Sequence, residues 1–287
     1  MFLFSIEEEE HLKRILSLAG ATIFILFMGL VGAPYLVIQI VRARLGGKSE
    51  GQKRQLFNQW EINIGLMLHW IIKYIWRVEV EYHFEQPIPK GPYLFVINHR
   101  SSWDHIFLAF IFRYLNVDDI RSVQKWEMRK APLLGYANRA GGHVFVKRNG
   151  DSQDTIRVQA SAVQANQDGA SFLIYPEGTR WTLARAAKSR FKHLLGIRPK
   201  GFMILVDSLV SHRILSVNFD WGEGGAGRTM LDAGAMWRKK IRVRIWAWDD
   251  ASMEDPIKEL QIDWGLRDDM LSGLMPIELE MHETIRL

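Results

Sequence analysis

Between Ile15 and Val41 the chain runs for 27 residues without a charged side chain, ILSLAGATIFILFMGLVGAPYLVIQIV. Nothing else in its 287 residues restricts the fold as strongly. A backbone wrapped in apolar side chains satisfies its own amides as a helix. At about 1.5 Å per residue this one extends about 40 Å, beyond the roughly 30 Å hydrocarbon layer of a bilayer. The segment therefore reads as a membrane anchor, residues 1–48 in all. Its leader, EEEEHLKR, is not net-positive, and the run exceeds the core of about 7 to 15 residues of a cleaved signal peptide. Pro34, with Gly29 and Gly32 before it, either kinks one tilted span or breaks the run into two short helices that dip into one leaflet and return. Lys13 and Arg14 precede the run, whereas Arg42, Arg44, Lys48, Lys53 and Arg54 follow it. The larger basic cluster places the rest of the chain on the cytoplasmic side of an inner or cytoplasmic membrane.

Beyond the anchor, WEINIGLMLHWIIKYIW (60–76) has a broad apolar face interrupted by Glu61, Asn63, His69 and Lys73. This is the pattern of a helix that lies at an interface or covers a core. The period then changes from helical to alternating. VEVEYHF, PYLFVIN, IRSVQ, HVFVK, ASFLIY, RILSVNF and IRVRIWAW read as short strands, and helical segments separate several of them. Asp151 or Ser152 caps one helix that ends near Gly169. The expected fold is α/β: a mixed, largely parallel sheet flanked by helices, with its sites at strand ends. One such domain, residues 49–250, accounts for a chain that is 48% hydrophobic, and 251–287 reads as a weakly patterned acidic tail.

Two strand ends carry candidate chemistry. In LFVINHRSSWDHIF an apolar strand stops at Asn98-His99, and Asp104 follows five positions after the histidine. A carboxylate on one imidazole nitrogen fixes the tautomer and leaves the other nitrogen to take a proton. The bland alternative is a histidine in a turn beside an aspartate that caps the next helix. The chain has no cysteine, which excludes thiol catalysis and disulfides, and no G-x-S-x-G elbow, so the attacking hydroxyl can belong to a substrate. In ASFLIYPEGTRWT a second strand ends in a turn where Gly178 permits close approach and Arg180 can hold a phosphate by two parallel hydrogen bonds. From Arg180 to Lys200 there are seven basic residues and no acid. With a net charge of +5, that run suits a phosphorylated substrate or anionic headgroups. No metal-spaced partner accompanies His69 or His143, which read as surface or packing residues.

NHRSSWD followed by YPEGTR resembles the His-x4-Asp and E-G-T-R motifs of the glycerolipid acyltransferase family, the group that includes 1-acylglycerol-3-phosphate acyltransferase. KWEMRKAPLLGYANRAGGHVFVKR is similar to the block between them. The resemblance spans about residues 70 to 220. It implies that His99 is a general base oriented by Asp104. Glu177, Gly178, Thr179 and Arg180, with Arg148 and Lys125, would bind the glycerol phosphate. It implies an acyl thioester co-substrate, on coenzyme A or acyl carrier protein, with no further cofactor and no metal. The acceptor would be lysophosphatidic acid, ahead of other lysophospholipids. RILSVNFDW lacks the proline usual in the family's fourth block, and FKHLLGIRPKGFMIL looks like the branch with an L-x-P-R-x-K-G-F pattern, altered here because Pro199 replaces a threonine. Three other readings compete. A dinucleotide-binding oxidoreductase rests on GEGGAG (222–227), a serine hydrolase on Ser101 or Ser102, and a non-enzymatic anionic-lipid binder on the basic run. Nucleic acid is not expected as a partner, since no compact aromatic and basic motif stands out.

Overall fold

In the computed structural model, which describes residues 6–149, 151–222, 233–249, 254–273 and 283–287, the uncharged run is one rod. Helix α1 (Ile6–Phe27) passes through a π turn at Met28–Gly32 into α2 (Ala33–Leu45). Phe27 and Gly32, at the two joins, keep right-handed helical backbone, and the Ala33 amide bonds to the Met28 carbonyl. Pro34 sits in the first turn of α2, and the wider π turn ahead of it absorbs the amide that proline lacks. Of the two forms the sequence leaves open, the continuous helix is the one found. The face of the rod toward α3 (Glu50–Trp76) is tied down: the Trp60 indole donates to the Gly32 carbonyl (3.0 Å) and the Asn63 amide to the Tyr35 hydroxyl (2.7 Å). Leu18, Leu30 and Leu45 on the rod stay 72%, 75% and 82% exposed, an apolar surface that no part of the described chain covers.

Helix α3 begins ten residues before the stretch read as helical, at a capping box. The Ser49 hydroxyl accepts from the Gln52 amide while the Gln52 side chain accepts from the Ser49 amide. Its apolar face covers the core through Trp60, Ile64, Leu68, Ile72 and Trp76, and Trp70 and Tyr74 face outward. At Gly65 a β-carbon would stand 2.7 Å from that of Ala109, so glycine permits the close approach to the next helix. His69 is on the buried side among Tyr82, Phe107 and Phe110, and neither ring nitrogen has a hydrogen-bond partner among the described residues. Burial, with Lys73 adding to it, lowers this imidazole to about 4. The unfolded chain, with a histidine near 6.5, binds the proton more readily. Stability from this group is therefore complete above about 6.5 and is lost as pH falls through 4, by about 3 kcal/mol. Urea midpoints measured from pH 7 to 4 should fall in the wild type more steeply than in His69→Leu, and parallel curves would contradict this.

From here strands and helices alternate: β1 (Glu79–Phe84), β2 (Tyr93–Ile97), α4 (Asp104–Tyr114), β3 (Ile120–Lys125), a 3-10 turn at Trp126–Lys130, α5 (Leu134–Ala140) and β4 (Val144–Val146). Then come α6 (Ser152–Asp168), β5 (Ser171–Ile174), α7 (Leu183–Ala186), α8 (Pro199–Ser208), β6 (Arg213–Asp220), β7 (Lys240–Ala247), α9 (Pro256–Leu271) and β8 (Glu283–Arg286). Asp151 caps α6 through the Gln153 amide, and Gly169 closes it, as read. The sheet order is β4-β3-β5-β2-β6-β7-β1-β8. Strands β4, β3, β5, β2 and β6 are parallel neighbours; β7 is antiparallel to β6 and β8 to β1. Both faces are covered, which is why the strands read as nearly unbroken apolar runs. Tyr93, Phe95 and Ile97 of β2 point into a core shared with α3 and α4, while Leu94 and Val96 point into a second core with α6, α8 and α9.

The C-terminal segment corrects the sequence reading. The stretch read as a weakly patterned acidic tail supplies α9, which closes the second core with Leu260 and Trp264, and β8, which pairs with β1. Its pattern is hidden because the buried face also carries Asp263 and Arg267. A salt bridge turned inward looks, by hydropathy alone, like a solvated surface.

Candidate active site

Because β4, β3, β5 and β2 are parallel, the residues that follow each of them meet along one edge of the sheet. At the end of β2 the Asn98 side chain clamps the strand to β6, accepting from the Phe219 amide (2.7 Å) and donating to the Phe219 carbonyl (3.0 Å). His99 comes next and leaves the sheet. Asp104, at the start of α4 and fully buried, gathers the turn around itself. One oxygen accepts from the amides of Arg100 (3.0 Å) and Ser101 (2.8 Å) and lies 3.1 Å from His99 Nδ1. The other accepts from the Trp221 indole (2.9 Å). Asp104 thus orients the imidazole and braces the turn ahead of α4; it does not cap that helix, whose N-cap position is Trp103.

That geometry assigns the proton to Nδ1 and makes Nε2 the acceptor. Nε2 has no protein partner among the described residues, and the side chain is 22% exposed. The ring stacks on Tyr175 (centroids 4.2 Å apart, 26° between planes), whose hydroxyl lies 3.2 Å from His105 Nδ1. Desolvation raises the Tyr175 phenol well above its usual value. Sequence reasoning missed Tyr175 and Trp221. Tyr175 could have been noticed as the residue before the P-E-G turn. Trp221 is 117 residues from the aspartate it holds, and no local signal marks it.

The P-E-G-T-R turn after β5 reaches the same place, but its members do different work. Glu177 is buried, with one oxygen accepting from the His99 amide (2.8 Å) and the other from the Leu195 amide (3.0 Å). It braces the histidine loop rather than facing a ligand. Burial pushes this carboxyl up to about 8, against the pull of those two amides. Gly178 takes a left-handed backbone (φ 67°), and its carbonyl accepts from the Arg148 guanidinium. Thr179 is half-buried beside it. The Arg180 guanidinium donates to the Ser102 hydroxyl, and the Trp181 amide donates to the His99 carbonyl (2.8 Å), tying the two loops together. Ser101 is buried, its hydroxyl accepting from the Trp103 amide (3.1 Å).

Lys125, at the end of β3, completes a cationic rim. Its ammonium is lowered by burial and then by Arg148, Arg180 and Arg185; Arg148 is lowered by burial and then by Arg198. Cations that disfavour one another's charge in this way are stabilised by a bound anion. Lys125 is in register with Val146 of β4, Arg148 reaches the Gly178 carbonyl and Arg180 the Ser102 hydroxyl, so the three cations stand along the sheet edge that carries His99. The GEGGAG stretch lies outside the described residues except for Gly222, whose amide is held by the Asp220 side chain. The strands before and after it, β6 and β7, pair antiparallel, unlike the parallel βαβ unit that a dinucleotide site requires.

Comparison with known proteins bears on this site. Residues 79–206, from β1 into α8, match the family model described as Acyltransferase, a span that contains His99, Asp104 and the P-E-G-T-R turn. A 1-acyl-sn-glycerol-3-phosphate acyltransferase from Pseudomonas aeruginosa is 27% identical over 122 residues, 42% of this chain and 44% of that protein. A 1-acyl-sn-glycerol-3-phosphate acyltransferase epsilon from Mus musculus is 26% identical over 170 residues, 53% of this chain and 47% of that protein. The matched part is thus less than half the length of each of these relatives. In fold the chain resembles the crystal structure of the 1-acyl-sn-glycerophosphate (LPA) acyltransferase PlsC from Thermotoga maritima, with a TM-score of 0.64 at 17% identity, over 93% of this chain and 97% of that one.

Proposed function

We propose, from the premise that the chain belongs to the glycerolipid acyltransferase family through its domain at residues 79–206, that it moves a fatty acyl group from a thioester to the 2-hydroxyl of lysophosphatidic acid. The observation that carries this reading is the His99–Asp104 pair, with Nε2 turned away from its carboxylate and a cationic rim along the same sheet edge. Nε2 takes the proton of the lipid hydroxyl as its oxygen attacks the thioester carbonyl. The tetrahedral intermediate collapses with loss of the C–S bond, and the imidazolium returns the proton to the departing thiolate. The products are the ester, phosphatidic acid, and a free thiol on coenzyme A or acyl carrier protein. Asp104 stabilises the imidazolium between the two steps. Lys125, Arg148 and Arg180 hold the acceptor phosphate.

A long-chain acceptor dissolved in a leaflet explains the exposed apolar face of the α1–α2 rod. In this reading the rod anchors the chain in the bilayer, with Arg42, Arg44 and Lys48 at the cytoplasmic headgroups, while Lys53 pairs with Glu50 (2.6 Å) and Arg54 with Asp168 (2.7 Å). The test is to incubate the purified full chain with labelled acyl-CoA or acyl-acyl carrier protein and a panel of lysolipids. One arginine–phosphate contact is worth roughly 10- to 100-fold. Arg180→Ala should therefore raise KM by about that factor for phosphate-bearing acceptors and leave a phosphate-free monoacylglycerol little affected. Equal losses on both classes would remove the phosphate role of Arg180.

A further inference from the structure

Just past Lys125 the chain places an indole among cations. The Arg129 guanidinium lies 4.0 Å from the Trp126 ring centre, that of Arg157 5.2 Å and the Lys147 ammonium 5.4 Å. They come from three elements: the 3-10 turn after β3, the end of β4, and α6. Trp126, Arg129 and Arg157, with Arg139, His143 and Phe145, border an open groove of about 270 Å³, and Lys147 stands beside it over the indole. Of these cations only Arg157 has a carboxylate partner, Asp154 at 3.0 Å, among the described residues. A Trp ring beside several cations suits a ligand that joins a flat aromatic base to phosphate groups, because the base stacks on indole or guanidinium while the phosphates take the guanidinium hydrogen bonds.

We infer that the Trp126 groove binds the nucleotide end of a coenzyme A thioester, an adenine carrying phosphates, and so selects this donor. The inference rests on the acyltransferase reading of His99. The sheet order supports it. From β2, which leads into His99, to β3, which leads into Trp126, is two strand spacings, about 10 Å, and to β4 is three, about 14 Å. A pantetheine arm crosses such a distance along the strand ends, leaving the thioester at His99 and the nucleotide in the groove. The acceptor phosphate on Lys125, Arg148 and Arg180 then lies between the two.

The test compares acyl-CoA with acyl-pantetheine, the same thioester without the nucleotide, in wild type, Trp126→Ala and Arg129→Gln. Wild type should favour acyl-CoA, and each variant should reduce that preference by about tenfold or more in kcat/KM. Adenosine 3′,5′-bisphosphate should bind wild type in calorimetry and bind both variants more weakly. A preference for acyl-CoA that survives both substitutions overturns the proposal, as does bisphosphate affinity that the substitutions leave unaltered. Loss of binding to phosphatidylglycerol vesicles with the donor preference intact would assign the groove to lipid headgroups instead. Bisphosphate binding that depends on Trp126, in a protein that turns over neither donor, would keep the groove and remove the acyltransferase reading.

Discussion

His99→Ala should lower kcat for acyl transfer by about 10²- to 10⁴-fold, the usual contribution of a placed general base to an alcohol that is hardly ionised at neutral pH. The protein should stay folded. The imidazole is partly exposed, stacks on the Tyr175 ring and meets Asp104. Asp104, once the imidazole is gone, keeps three donors: the amides of Arg100 and Ser101 and the Trp221 indole. Turnover with labelled acyl-CoA, read beside circular dichroism and urea midpoints, separates chemistry from folding. A variant that retains turnover within a few-fold of wild type would remove His99 from the reaction and with it the base-catalysed step.

The second large effect is on stability and lies in α9. Arg267 is wholly buried. It donates to Asp263 (2.8 Å), to the Val217 carbonyl of β6 (2.8 Å) and to the Val96 carbonyl of β2 (2.9 Å), and its guanidinium packs 4.7 Å from the Trp264 ring. Asp263 in turn accepts from the Ser216 hydroxyl (2.8 Å) and the Trp246 indole (3.0 Å). Arg267→Leu would leave a buried carboxylate without its cation and two strand carbonyls without the guanidinium donor, one of them near the end of the strand that leads to His99. The expected cost is about 3–5 kcal/mol, because the charge stays desolvated after its partner is lost. Replacing both members, as Asp263→Leu with Arg267→Leu, should recover much of that loss, since no buried charge then remains. Urea midpoints of the single and double variants measure both quantities. A single variant that loses less than about 1 kcal/mol would show that the ion pair does not hold α9 to the sheet.

Much of the architecture is legible residue by residue because its signals are local. A run of 27 uncharged residues can satisfy its amides only within itself, so a helix at Ile15–Val41 follows from solvation alone. Alternation and turn chemistry mark β1 to β7, and Asp151 and Gly169 mark both ends of α6, since caps act within a few residues of the backbone they satisfy. The five-residue offset from His99 to Asp104 is of the same kind: one turn closes it, and the carboxylate lands on the imidazole.

Contacts between distant segments were decided only when the strands aligned. No spacing in the chain announces that Trp221 holds Asp104, that Glu177 grips the His99 amide instead of a phosphate, or that Arg267 joins α9 to the carbonyls of β2 and β6. Each joins groups between 50 and 171 residues apart. Their burial turns polar residues into structural ones, and composition reads such residues as surface. The sequence by itself determined which groups could do chemistry and the local turns that present them. The parallel sheet decided which of them share an edge, because only paired strands bring their ends to one place.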